Sequence, residues 1–231
     1  MNGPSGIRAR LEAIRGRIQR ACERAGRSPG TVVLVGASKT VPVETLREVV
    51  ALGLTDLGEN RVQEAEAKIV ALAGTRITWH MIGHLQRNKT AKAVERFDRV
   101  HGVDDHELAV ALSARAIAAG RRLPVLVEVN VSGEASKHGV SPDRLEELLA
   151  SIRGLPGLAV DGLMTIAHPV ERAEDARGEF ARLRTLRDRA AASLGLALPE
   201  LSMGMSADFE VAIEEGATFV RVGTALFGAR V

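Results

Sequence analysis

The chain has 231 residues, 45% hydrophobic and 26% charged, which suits one barrel-sized domain or two small ones and excludes a large multidomain enzyme. Its 31 Lys and Arg nearly cancel its 29 Asp and Glu, leaving +2, and aromatics make up only 3%, so a basic, base-stacking nucleic-acid surface is not expected. The lone Cys22 excludes an internal disulfide framework and Cys-based zinc clusters, and no apolar run reaches the length of a signal peptide or membrane span. A cytoplasmic protein without membrane contact is the expectation.

Ile7, Leu11, Ile14, Ile18 and Cys22 recur at three- and four-residue spacing and predict an amphipathic helix over 6–25, within an N-terminal segment of residues 1–28. Its other face carries Arg8, Arg10, Arg15, Arg17, Arg20 and Arg24, interrupted by Glu12 and Glu23; a solvated face and a basic arm both fit that pattern. From Thr31 the period changes. The apolar run 31–37 predicts a strand buried on both faces, followed by a helix over 42–52 with Pro42 at its start and Gly53 beyond its end. Further strands are predicted at 55–57, 78–82, 99–103, 125–131, 158–164, 201–203 and 219–222. Helical patterns lie between them at 60–73, 86–97, 105–119, 141–152, 171–194 and 206–215.

Eight strands alternating with helices, without a linker or composition break, predict a single (β/α)8 barrel domain over 1–231 with an additional N-terminal helix. An open doubly wound sheet is the alternative, but the G-x-G-x-x-G phosphate fingerprint is missing after the first strand.

Barrel chemistry sits where strands end. Lys39 directly follows the first strand in a chain with only five lysines against 26 arginines. A partly desolvated amine there could form a Schiff base with a carbonyl, or it could snorkel to solvent or hold an anion. Ser206 after the seventh strand, and Gly223 with Thr224 after the eighth, stand at predicted helix starts. There, backbone N–H groups form a phosphate cradle or Ser206 serves as a plain N-cap. A lysine on one strand and a phosphate cradle on two others suit a phosphorylated aldehyde, with pyridoxal 5'-phosphate (PLP) the obvious cofactor. His80 and His84 share i, i+4 spacing, but Gly83 and the strand end argue against a metal pair, and no metal is expected.

The strings Val35–Thr40, Leu57–Glu64, Trp79–Lys89, Val129–Ser132, Ser136–Gly139, Gly162–Met164, Leu201–Asp208 and Arg221–Gly228 resemble the pyridoxal phosphate homeostasis proteins. The barrel of that family is similar to the N-terminal domain of alanine racemase and other fold-type III PLP enzymes. The resemblance implies that Lys39 carries the Schiff base with PLP, that Ser206, Gly223 and Thr224 hold the phosphate, that Arg221 faces the pyridine nitrogen, and that Asn60 and His80 line the ring. A salt bridge in the barrel mouth is the other reading of Arg221. An arginine at the ring nitrogen keeps that nitrogen unprotonated and makes the ring a poor electron sink.

Racemases of this fold add a C-terminal β-domain with a catalytic tyrosine; here the sequence stops soon after the eighth strand and holds no tyrosine. The expected function is therefore PLP homeostasis, in which a monomer buffers PLP and passes it transiently to apo-enzymes, without robust catalysis. The alternative is a minimal amino-acid racemase in which His84 or His168 supplies the second acid/base group. Lys137 is either a second amine for exchange or a surface lysine.

Overall fold

A computed structural model describes residues 6–134 and 137–228; Ser136 of the Ser136–Gly139 string, residues 1–5 and residues 229–231 lie outside the described part. Eight parallel strands close into a barrel in sequential order: β1 (Val33–Ala37), β2 (Asp56–Glu59), β3 (Thr78–Met81), β4 (Arg99–Val103), β5 (Leu123–Glu128), β6 (Leu158–Met164), β7 (Glu200–Ser202) and β8 (Phe219–Val222). The ring is sealed where Val33, Leu34 and Val35 pair with Phe219, Val220 and Arg221. The helices are α1 (Ile7–Arg24), α2 (Val43–Ala51), α3 (Val62–Ala71), α4 (Thr90–Arg96), α5 (His106–Ala118), α6 (Leu145–Ile152), α7 (Arg177–Leu194), α8 (Phe209–Glu214) and α9 (Thr224–Phe227). The predicted (β/α)8 barrel with a leading helix is the observed fold.

The expected strands differ from the observed ones only at their ends, most at β1 and β5. Residues 29–31 form a turn of 3-10 helix before β1. Beyond Glu128 only Val129 N–H still bonds β6, at Met164 O; Asn130 N–H donates to Val140 O and Val140 N–H to Glu128 O, closing a loop on itself. Gly162 is required where β6 meets β7, since a Cβ there would lie 1.9 Å from the Glu200 carbonyl oxygen.

Apolar side chains divide into two bodies. A large shell lies between strands and helices; a small interior cluster of Val35, Ile82, Leu126, Met164 and Phe219 fills part of the barrel lumen, the remainder of which is polar. α1 buries Ile7, Leu11, Ile14, Ile18, Ala21 and Cys22, as its spacing predicts. Four of the six arginines on its other face are engaged with the rest of the fold. Arg17 pairs with Glu210 and Arg24 with Glu214, both at 2.6 Å, while Arg10 donates to Leu226 O and Arg15 to Leu52 O and Gly53 O. α1 thereby straps the last helices of the barrel to the first, bracing α8 and α9, which flank the site.

Candidate functional site

The strand ends converge on a cavity of about 700 Å³ at the carboxyl-terminal mouth. Lys39, Asn60, Ser206, Arg221, Gly223 and Thr224 all line it, together with Ile82, Ile166, Met205 and Phe227. Ile166 and Met205 are exposed apolar side chains on its wall, 39% and 36% accessible, an apolar surface suited to the face of a flat ring.

Lys39 is positioned by a buried clamp beneath it. Ser38 Oγ donates to Glu59 Oε1 at 2.6 Å, and Lys68 Nζ donates to both Glu59 Oε1 and the Ser38 carbonyl at 2.6 Å. Val41 N–H donates back to Ser38 O, so residues 38–41 form a tight turn with Thr40 at φ 63°, a left-handed conformation that a β-branched residue rarely adopts. The turn carries Lys39 into the cavity wall. Lys92 and Lys137, by contrast, pair with Glu66 and Glu134. Glu59 stands within the Leu57–Glu64 string that carries the family resemblance, whereas nothing in the sequence marks Lys68, on an outer helix, as reaching the strand end.

On the opposite wall, helix α8 starts at Phe209, later than expected. Met205 N–H donates to Asp208 Oδ1 at 2.6 Å and folds 205–208 into a turn, so Ser206 does not cap its own helix. Its hydroxyl oxygen instead accepts from the N–H groups of Gly223 and Ala225, both at 3.2 Å. A hydroxyl and backbone amides that converge at a helix start are the components of a phosphate cradle.

Arg221 is 4% exposed and donates to Ser202 Oγ at 2.5 Å and Thr165 O at 2.8 Å. Burial lowers its pKa to about 10, with Glu128 and Asp208 pulling the other way, so it is cationic at neutral pH and can only donate. The salt-bridge reading is not what the geometry gives: its direct partners are a hydroxyl and a carbonyl. Glu128 is itself pushed up to about 7 by burial and by the charge of Asp104; nothing in sequence marks a strand-end glutamate as desolvated.

His80 is a correction. It does not line the cavity; it sits in the barrel lumen, 1% exposed, with Nδ1 3.0 Å from His101 Nε2 and Nε2 3.0 Å from Asp56 Oδ1. Strand alternation explains this: His80 and Ile82 share a face, and Ile82, two residues nearer the strand's end, takes the cavity position. His84 lies apart from it, stacked on His138 at 3.9 Å and 3.5 Å from Asp104, while His168 bonds Glu179.

A closed eight-stranded barrel with a lysine on its first strand end and an amide cradle on its last two defines the class of fold-type III PLP-binding barrels. The alanine racemase N-terminal domain model matches residues 9–231. Pyridoxal phosphate homeostasis proteins of Aquifex aeolicus and Pseudomonas aeruginosa are 50% and 46% identical, covering 96% and 98% of this chain and 97% and 96% of theirs. The structure of PipY from Synechococcus elongatus with PLP bound superposes with a TM-score of 0.85 at 38% identity, covering 96% of this chain and all of that one. Alanine racemase of Clostridium difficile shares the fold at a TM-score of 0.75 and 15% identity, and the match takes in 56% of that enzyme. This chain belongs to the pyridoxal phosphate homeostasis protein family.

Proposed function

We infer that this protein binds PLP in the mouth cavity and serves PLP homeostasis by holding and releasing it. The observation that carries the reading is that six residues from four strand ends, Lys39, Asn60, Ser206, Arg221, Gly223 and Thr224, meet in one cavity. When bound, PLP supplies an aldehyde that reacts reversibly with amines. Lys39 is the amine placed to receive it, the Ser206 hydroxyl and the amides of 223–225 accommodate the phosphate, and the Arg221 guanidinium donates to the ring nitrogen. Asn60 and Ile82 bound the remaining wall.

Two features favour a holder over a racemase. Arg221 cannot transfer a proton to the ring nitrogen at neutral pH, which leaves the ring a weak acceptor of electrons. His84 and His168, the candidate second acid/base groups, are engaged with Asp104 and Glu179 and are not among the residues lining the cavity. The open barrel mouth suits transient transfer of PLP to apo-enzymes.

Incubation of the PLP-loaded protein with L- and D-alanine in D2O tests this. The expected result is PLP release to an added apo-enzyme with no sustained deuterium uptake at the α-carbon; turnover of either isomer would replace the holder reading with the racemase.

A further inference from the structure

The barrel lumen contains a row of polar groups that the PLP reading does not use. From the cavity downward, Arg221 Nη1 lies 2.5 Å from Ser202 Oγ, Ser202 Oγ 2.9 Å from His101 Nδ1, His101 Nε2 3.0 Å from His80 Nδ1, and His80 Nε2 3.0 Å from Asp56 Oδ1. Ser202 and His101 are fully buried and His80 nearly so, while Asp56 lies at the foot of β2, part-exposed and steadied by the Thr55 hydroxyl. The Phe219 ring packs edge-on against both imidazoles, at 5.7 and 5.2 Å between centroids.

With both imidazoles neutral, the acceptor-only end sets every proton between them. The Asp56 carboxylate only accepts, so His80 carries its proton on Nε2 and accepts at Nδ1 from His101 Nε2–H. His101, held well below its ordinary pKa by burial, then accepts at Nδ1 from the Ser202 hydroxyl, which keeps a lone pair for Arg221. Every bond of the chain is satisfied in this arrangement.

We propose that Ser202, His101, His80 and Asp56 are positioning residues that act as one directional hydrogen-bonded chain to orient Arg221 toward the ring nitrogen of PLP. The proposal rests on the PLP reading of the cavity. The chain presents a lone pair of Ser202 to Arg221 and denies it the Ser202 proton. Together with Thr165 O, this anchors the inner edge of the guanidinium and leaves its other donors for the cavity that Arg221 lines.

Two measurements test it. In the cofactor-free wild-type protein, 15N NMR of the histidines should show His101 and His80 both with Nε2 protonated and Nδ1 bare; an Nδ1–H form of either would overturn the chain. Dissociation of PLP is then compared with that of 1-deaza-PLP, whose ring carries C–H in place of the nitrogen. Ser202→Ala should release PLP about tenfold faster, the loss expected for one hydrogen bond to a charged group, and leave the deaza analogue unaffected. Asp56→Ala should behave similarly, whereas Asp56→Asn, which keeps an acceptor for His80, should stay within about twofold of wild type. Equal weakening of both ligands by Ser202→Ala, or no weakening of either, would refute the positioning role while the PLP reading stands. Failure of the wild-type protein to bind PLP at all would instead refute that parent reading.

Discussion

Glu128→Gln probes the electrostatics of the barrel mouth with almost no change in shape. The wild-type carboxyl is 5% exposed and its pKa is raised from 4.5 to about 7 by burial and by Asp104, with Arg221 opposing the rise. The folded protein therefore binds this proton more tightly than the unfolded chain, so stability falls as pH rises from about 4.5 through about 7 and then levels off. A shift of this size destabilises the fold by roughly 1 kcal/mol at pH 5 and roughly 3 kcal/mol at pH 8. Glutamine is neutral at both pH values, so the variant should gain roughly 2 kcal/mol relative to wild type between them. Urea unfolding followed by the fluorescence of Trp79, the chain's sole tryptophan and 6% exposed, measures the difference directly. A gap between the two proteins that stays constant from pH 5 to pH 8 would refute a desolvated, protonated Glu128.

Lys68→Ala should lower stability by about 3–5 kcal/mol in the same unfolding assay, because Glu59 is fully buried and would lose its counter-ion. Ser206→Ala should weaken PLP binding about tenfold in an equilibrium titration and weaken pyridoxal, which lacks the phosphate, far less. Gly162→Ala should abolish soluble expression or lower the melting temperature sharply, since the Cβ and the Glu200 carbonyl cannot occupy the same space.

The barrel was legible because its signals are periodic: apolar runs alternate with amphipathic stretches, and each strand maps onto an observed one. Lys39, Ser206, Gly223 and Thr224 stand out in the sequence because they come just beyond strands, and Arg221 because the family resemblance points to it; the structure gathers all five around one cavity. What the sequence hides is direction and depth. The resemblance points to His80 as it does to Asn60, yet His80 pairs with Gly58, two positions before Asn60, which puts it one layer down, in the lumen. The partners His101, Ser202 and Asp56 come from strands distant in sequence and meet only when the ring closes. Likewise, the Arg-rich face of α1 is featureless as a string, and it becomes a strap because α8 supplies Glu210 and Glu214.

The functional reading turns on one proposed bond, between the Lys39 amine and PLP. Borohydride reduction of the PLP-loaded protein, followed by proteolysis and mass spectrometry of the phosphopyridoxyl peptide, addresses it most directly. A single modified lysine, Lys39, and loss of the adduct in Lys39→Ala are the expected results. The label on Lys137 or another lysine, or an undiminished adduct in Lys39→Ala, would contradict it.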